Sequence, residues 1–128
     1  MNVVDSSGWL EYFADGPNAG FFAPPLQASA DLLIPTVSLY EVFKRVFEQR
    51  GEDAALQAVA LMQQGGSVLD LTAPLALSAA TLSLELKIAM ADSIMLATAR
   101  QYDAALWTQD ADFENVPDVK YVAKRRTR

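Results

Sequence analysis

The feature that most constrains the fold of this chain is the alternation of short apolar runs with longer segments of helical periodicity. The apolar runs cover residues 2–5, 32–34, 68–71 and 105–107. Runs of this length between turn residues and helical patterns are typical of buried strands in a parallel sheet, where crossover helices connect the neighbours. We therefore expect an α/β fold with a central, mainly parallel sheet of four to five strands.

Helices are predicted between these strands, and the clearest follows the second strand. Its apolar stripe recurs at i, i+3, i+4, i+7 and i+8 and consists of Leu39, Val42, Phe43, Val46 and Phe47. Ser38 is the expected N-cap of this helix, and Gly51 is its expected end. Further elements are expected as helices over residues 7–13, 22–28, 54–64, 73–86 and 92–101 and as an edge strand over residues 120–122.

The composition fits one domain. The chain has 128 residues, of which 52% are hydrophobic, so it can bury a sizeable core. No apolar run reaches the roughly 18 residues that a membrane span needs. The first residues also lack the basic region of a signal peptide, because Asn2 and Asp5 stand there. We expect a single domain over residues 1–128, in the cytoplasm and without a membrane partner.

Two residue types are absent from the sequence, and their absence narrows the chemistry. Without Cys there is no thiolate nucleophile, and without His there is no imidazole base or Ser-His-Asp triad. If the chain is an enzyme, its polar chemistry must come from carboxylates, hydroxyls, Lys or Arg. Because carboxylate oxygens are hard ligands, Mg²⁺ or Mn²⁺ is the expected metal.

Charge is distributed unevenly along the chain. Residues 1–119 contain all 16 acids and five bases, a net charge of −11, whereas residues 120–128 contain five bases and no acid. The acidic body argues against broad nonspecific binding to nucleic acid. We interpret the basic tail at residues 122–128 as a solvated, frayed terminus, with a local contact to phosphate or to an acidic partner as the alternative.

Four acids stand where a shared site is expected. Asp5 ends the first strand and Asp110 follows the fourth, and ligands of open α/β sheets collect at the carboxyl ends of the strands. Glu41 lies about 200° around its helix from Leu39, away from the apolar stripe. Asp92 opens an apolar helix. Because converging carboxylates repel one another, a bound dication would stabilise such a group.

Each of these acids also has a purely structural explanation. Asp5 and Asp92 are candidates for helix N-caps, and Ser38-x-x-Glu41 matches a capping box. Asp110-x-Asp112 fits the chemistry of a turn. The residue types and their spacing leave both explanations open.

Four segments, taken together and in order, resemble the motifs of PIN domains, specifically the small toxins of the VapC type. The segments are Val3-Val4-Asp5-Ser6-Ser7, Ser38-Leu39-Tyr40-Glu41-Val42, residues 91–99 (Ala-Asp-Ser-Ile-Met-Leu-Ala-Thr-Ala) and residues 106–113 (Leu-Trp-Thr-Gln-Asp-Ala-Asp-Phe). The third is the most specific of the set. The resemblance covers almost the whole chain.

The resemblance implies a three-layer α/β/α fold, usually dimeric, and a Mg²⁺- or Mn²⁺-dependent endoribonuclease that a cognate antitoxin holds in check. Metal-activated water would then hydrolyse an RNA phosphodiester. The metal ligands and catalytic acids that it implies are Asp5, Glu41, Asp92 and Asp110. Ser6 and Thr108 would orient ligands or water, and Asp112 is the second candidate for the place of Asp110.

RNA must approach an acidic body, so bases near the site should contact it, and the candidates are Lys44, Arg45, Lys87 and the basic tail. One alternative to a nuclease is a PIN-like RNA- or protein-binding module without catalysis. The other is a magnesium-dependent phosphatase with Asp5 as nucleophile. Haloacid-dehalogenase phosphatases usually carry a second Asp two residues further on, where this chain has Ser7, so the phosphatase is disfavoured.

Overall fold

Five short strands form one sheet in which every neighbouring pair is parallel. The structure is a computed structural model that describes residues 1–126, so Thr127 and Arg128 of the predicted tail lie outside the described residues. The strands are β1 (Asn2–Val4), β2 (Leu32–Pro35), β3 (Ser67–Leu69), β4 (Ala105–Thr108) and β5 (Val119–Tyr121). Their order across the sheet is β3-β2-β1-β4-β5. The prediction of a mainly parallel sheet is confirmed.

Within residues 1–126, six α-helices and two short 3-10 turns connect the strands. The helices are α1 (Ser6–Phe13), α2 (Ala19–Gln27), α3 (Thr36–Arg50), α4 (Glu52–Gln64), α5 (Ala73–Leu86) and α6 (Met90–Gln101). The 3-10 turns cover Ser29–Asp31 and Ala111–Phe113. Each predicted helix is present, and Gly51, with a φ of 88°, ends α3 as expected.

Alternating side chains of the strands separate two apolar layers. Val4, Leu32 and Ile34 face one side of the sheet, where they pack against residues of α1, α2, α3 and α4. Val3 and Leu33 face the other side, where α5 and α6 cover them. Because successive side chains of a strand point to opposite faces, strands that are apolar on both faces need a helical layer on each. The three-layer α/β/α arrangement is therefore confirmed.

Two predicted N-caps are wrong, because both helices begin earlier than their sequence patterns indicate. Pro35 is the N-cap of α3, so Ser38 lies inside the first turn, where its hydroxyl donates to the Pro35 carbonyl oxygen at 2.6 Å. Ala89 is the N-cap of α6, so Asp92 also lies inside the first turn. An N-cap has non-helical backbone angles, which residues within the first turn do not adopt.

The start of α2 also differs from the prediction. The helix begins at Ala19, three residues before the predicted start, and contains Pro24 and Pro25. A proline within a helix removes one backbone donor, and α2 ends two residues after Pro25. The two prolines therefore mark the end of a short helix and do not prevent it.

α6 is buried along most of its length. All residues from Asp92 to Ala99 are buried, and the helix contacts β1, β2 and β4 on one side and α5 on the other. Because α6 leads directly into the start of β4, it runs back along the sheet and begins at the carboxyl edge of the strands. Asp92, in its first turn, is thereby carried to that edge.

The tail differs from the frayed end that the sequence suggests. The Val122 backbone N–H donates to the Thr108 carbonyl oxygen at 3.1 Å, which extends the tail along the end of β4. The Ala123 carbonyl oxygen accepts from the Asn18 side chain at 3.0 Å, and Arg125 donates to the same side chain at 2.9 Å. These bonds hold Val122 against β4 and residues 123–125 against the loop before α2, long-range contacts that local sequence patterns do not reveal.

Within residues 1–126, no single helix is long and apolar enough to cross a membrane. α5 and α6 together have the length and apolar composition of a membrane span, but the two helices meet at a bend of 115°.

Candidate metal centre

The strand order reverses between β1 and β4. β2 and β3 lie on one side of β1, whereas β4 and β5 lie on its other side. At such a switch point the connections leave in opposite directions and open a crevice at the carboxyl ends of the strands. Asp5 directly follows β1, and Asp110 lies two residues after the end of β4. The strand order brings both acids to one crevice.

Three carboxylates meet in this crevice. Asp5, Asp92 and Asp110 each offer one oxygen, and the three oxygens lie within 4.8 Å of one another. They come from the end of β1, the first turn of α6 and the loop after β4. Of the four acids singled out in the sequence, the structure thus brings these three together.

Asp5 is buried, and three hydrogen bonds fix its orientation. The residue is only 3% exposed. Its Oδ1 accepts from the Ser6 N–H at 2.8 Å, and its Oδ2 accepts from the hydroxyls of Ser7 at 3.0 Å and Thr108 at 2.9 Å. Loss of solvation on burial raises the pKa of Asp5 to about 6, although the hydrogen bonds to the charged form lower it.

Asp92 has the larger shift of pKa. Burial, and after it the negative charges of Asp5, Asp110, Glu41 and Asp112, raises the pKa of Asp92 to about 8. In the metal-free protein this carboxyl therefore holds a proton at neutral pH. The described side chains around it do not offset the repulsion among the acids.

Glu41 lies beside the three-carboxylate cluster. It is not one of the carboxylates within 4.8 Å of one another, and its Oε1 accepts from the Ser6 hydroxyl at 2.6 Å. Its negative charge contributes to the raised pKa of both Asp5 and Asp92. Glu41 is therefore at the rim of the cluster, and the predicted capping box with Ser38 is wrong.

Thr108 connects two of the three carboxylates. Its buried hydroxyl donates to Asp5 Oδ2 and accepts from the Asp110 N–H, both at 2.9 Å. Asp110 Oδ1 in turn accepts from the Asp112 N–H at 2.9 Å and so caps the second 3-10 turn. Asp112 is exposed and is not part of the cluster. The geometry favours Asp110 over Asp112.

Capping and clustering are compatible for two of these acids. Asp5 is the N-cap of α1 and Asp110 caps a 3-10 turn, as the structural explanations require. Each also belongs to the cluster. An ionised carboxylate has about four lone-pair sites on two oxygens, so a bond to one backbone N–H leaves sites for a cation.

The cluster suits a hard divalent cation. Its donors are carboxylate oxygens, which Mg²⁺ and Mn²⁺ prefer. The raised pKa values of Asp5 and Asp92 indicate that the protein alone does not compensate three converging charges. A dication held by Asp5, Asp92 and Asp110 would supply that compensation.

A cleft of about 840 Å³ opens from the cluster toward α3 and α4. Its lining includes the predicted acids and four bases, which are Lys44, Arg45, Arg50 and Lys124. Of the predicted RNA contacts, Lys44 and Arg45 of α3 and Lys124 of the tail lie on this cleft. Lys87 does not line it and ends α5 in a left-handed conformation with a φ of 56°. Glu11 and Glu48 also line the cleft, and the four bases form a basic margin beside the acidic centre.

Sequence reasoning missed part of this arrangement. Asn18, which is 2% exposed, donates to the Gln109 side chain at 3.0 Å, and Gln109 directly precedes Asp110. The basic tail is among the predicted RNA contacts, and its Lys124 lines the cleft. The one local signal is that Asn18 follows the break at Gly16-Pro17, and that signal indicates a turn without revealing its partners.

Comparisons with known proteins identify the family of this fold. The model of the PIN domain family matches residues 3–119. No curated protein sequence matched in a separate comparison. Among solved structures, the chain is similar to VapC20 of Mycobacterium tuberculosis, a toxin that cleaves the sarcin–ricin loop, with a TM-score of 0.77 and 20% identity over 94% of this chain and 98% of that chain.

Two further solved structures have the same fold. A toxin–antitoxin complex from Klebsiella pneumoniae gives a TM-score of 0.72 and 21% identity over 93% of this chain and 95% of that one. DNA-bound VapBC from Salmonella typhimurium gives a TM-score of 0.72 and 14% identity over 96% of this chain and 97% of that chain. The resemblance read from the four motifs is thus confirmed by a family model that spans most of the chain, and the chain belongs to the PIN domain family.

Proposed function

We propose that this chain is a metal-dependent endoribonuclease of the VapC type, the toxin of a toxin–antitoxin pair, which hydrolyses RNA phosphodiester bonds. The observation that carries the proposal is the convergence of Asp5, Asp92 and Asp110 within 4.8 Å at the switch point of a PIN fold. Structural similarity to VapC20, which cleaves the sarcin–ricin loop, supports RNA as the substrate.

Mg²⁺ or Mn²⁺ is the proposed cofactor, held by Asp5, Asp92 and Asp110 with Glu41 as the fourth acid. When bound, such an ion supplies activation of water and neutralises negative charge on the phosphate. Glu41 is included because its charge acts on both Asp5 and Asp92. The absence of His from the sequence leaves no imidazole to take over this chemistry.

The side chains around the cluster have positioning roles in this proposal. The Thr108 hydroxyl fixes Asp5 and the backbone of Asp110 in one geometry. The Ser6 hydroxyl holds Glu41, and the Ser7 hydroxyl completes the bonds to Asp5. Such hydrogen bonds keep acidic groups oriented when no cation is present.

RNA is proposed to lie along the cleft, with its phosphates on the basic margin. Lys44 and Arg45 are exposed residues of α3 that line the cleft, which supports them as phosphate contacts. Lys87 is not among the lining residues, and the proposal does not use it. Phosphate contacts fix position without reading sequence, so these residues do not define the RNA target.

RNA cleavage by the purified chain should cease in EDTA and return when excess Mg²⁺ or Mn²⁺ is added. The expected loss is at least about 100-fold, because without the ion nothing activates water or neutralises negative charge on the phosphate. Gel analysis of total RNA incubated with the chain measures the effect. Undiminished cleavage in chelator would contradict the metal-dependent mechanism.

The proposed partner is a cognate antitoxin, and a cytoplasmic homodimer is the proposed form of the toxin. Similarity to solved toxin–antitoxin complexes supports the partner. Expression of the chain should arrest growth of a bacterial host, and co-expression of the product of a neighbouring gene should restore it. Colony counts measure the effect, with the Asp92→Asn chain as the inactive control. Arrest that is equally strong with Asp92→Asn would argue against nuclease toxicity.

A further inference from the structure

Asn18 ties three distant parts of the chain together. Its Nδ2 donates to the Gln109 side-chain oxygen and to the Ala123 carbonyl oxygen, both at 3.0 Å. Its Oδ1 accepts from Arg125 Nε at 2.9 Å. The side chain is nine-tenths or more buried, at 2% exposure. One amide therefore uses its donors and its acceptor to join the loop before α2, the segment after β4 and the tail.

Lys124 lies between the two tail residues that this amide holds. Ala123 is bound through its carbonyl oxygen, and Arg125 donates both to Asn18 and to the Pro17 carbonyl oxygen. The first bond holds the backbone directly before Lys124, and the Arg125 guanidinium ties the following residue to the same loop. The exposed side chain of Lys124 lines the cleft, so the tail presents a cation there from an anchored segment.

The position of this cation relative to the cluster follows from the shared amide. The same Asn18 nitrogen bonds Ala123, next to Lys124, and Gln109, next to Asp110. Lys124 therefore directly follows one acceptor of Asn18 Nδ2, and Asp110 directly follows the other. Residues 1–119 carry a net charge of −11, so a phosphate that approaches Asp110 needs a nearby positive charge.

We propose that Lys124 binds an RNA phosphate beside the carboxylate cluster, and that Asn18 and Arg125 are positioning residues that hold it there. This inference rests on the proposed ribonuclease function and adds a substrate contact to it. The contact is to the phosphate backbone, so it acts on RNA of any sequence.

The test compares Lys124→Gln with Arg126→Gln, which removes the same charge two residues further on, from a residue that does not line the cleft. A digest of total RNA with Mn²⁺ first identifies the site that the wild-type chain cleaves fastest. A synthetic RNA oligonucleotide that contains this site is the probe. Lys124→Gln should lower kcat/KM about tenfold, mainly through KM. The slope of log(kcat/KM) against log(salt) should also become shallower by roughly 0.7, the value for one phosphate contact on single-stranded RNA.

The positioning role is tested with Arg125→Lys, which keeps the net charge. A lysine ammonium lacks the planar fork with which Arg125 reaches both Asn18 and Pro17, so kcat/KM should fall several-fold although no charge is lost. In the Arg125→Lys background, Lys124→Gln should lower kcat/KM by less than about twofold, because Lys124 has already lost its position.

The outcomes separate this inference from the function on which it rests. A wild-type chain that cleaves no RNA with Mg²⁺ or Mn²⁺ overturns both. A chain that cleaves RNA but shows equal kcat/KM for Lys124→Gln and Arg126→Gln overturns the phosphate contact alone. If the reductions in kcat/KM caused by Lys124→Gln and Arg125→Lys multiply in the double variant, the positioning role is refuted. If both variants lose thermal stability while KM and the salt slope stay unchanged, the tail is only structural.

Discussion

Replacing Asp92 by asparagine should lower the rate of RNA cleavage on the order of a thousandfold or more while the fold survives. Asparagine has nearly the same shape as the protonated carboxyl that Asp92 holds at neutral pH in the metal-free protein, so the packing of α6 is preserved. It cannot become an anionic ligand, and its NH₂ group would face the other carboxylates. Initial rates with saturating Mn²⁺ measure the loss, and circular dichroism checks the fold.

A matched series of the same substitution identifies the acids that matter. Asp110→Asn should reduce cleavage as strongly as Asp92→Asn, because both belong to the three-carboxylate cluster. Asp112→Asn should keep most of the activity, since Asp112 is exposed and outside the cluster. Asp70→Asn is the control, because Asp70 is an exposed acid that follows β3 at the same carboxyl edge. Strong loss in Asp112→Asn with an active Asp110→Asn would reverse the assignment of the fourth motif.

The positions of Asp5 and Asp110 could be predicted from the sequence because they depend on strand ends. A short apolar run that stops at Asp5, and another that stops before Asp110, mark carboxyl ends of strands, and parallel strands share that edge. The α/β class followed from the same alternation of strands and helices. The order β3-β2-β1-β4-β5, which makes β1 and β4 neighbours, came only from the structure.

Local patterns misled where a residue fits two explanations. Ser38 and Glu41 have the spacing of a capping box, but Pro35 ends β2 and begins α3 directly, so the helix starts two residues before Ser38. Glu41 is then free to accept from Ser6, 35 residues away in sequence. Capping preferences consider only the residues at one helix end. Here the position of β2 in the sheet sets where α3 starts, because the strand leads directly into the helix.

The tail could not have been predicted for a different reason. Ala123 and Arg125 reach Asn18 across 105 and 107 residues, and nothing in a run of bases indicates such a partner. A basic end usually frays because its backbone groups bond to water. Here a buried amide supplies protein partners instead, and the Arg125 guanidinium is held in place.

The metal-free protein should lose stability as the pH rises from about 4 to about 8. The pKa values of Asp5 and Asp92 are raised from 3.8 to about 6 and about 8 in the folded state. Between these limits the unfolded chain releases protons that the folded chain still holds, so the free energy of unfolding falls with rising pH. The stabilisation is fully present below about pH 3.8 and is lost once the folded-state groups ionise.

Metal ions should reverse this loss. A dication that binds only the folded chain stabilises it, by about 2.7 kcal/mol at a concentration 100 times Kd, and it requires ionised carboxylates. Stabilisation by Mn²⁺ should therefore be small near pH 5 and grow toward pH 8. Denaturant titrations with Mn²⁺ and with EDTA measure both trends.

Asp92→Asn should remove most of the pH dependence, because it deletes the group with the largest shift. Since one unit of pKa corresponds to about 1.4 kcal/mol, we expect the variant in EDTA at pH 8 to exceed the wild type by at least about 2 kcal/mol in free energy of unfolding. Near pH 4, where Asp92 is protonated in the folded wild type, the two chains should be similar in stability. Asp70→Asn should follow the wild type throughout. A wild type whose stability in EDTA rises from pH 5 to pH 8 would contradict the unbalanced cluster, because three carboxylates already compensated by protein groups would need no cation.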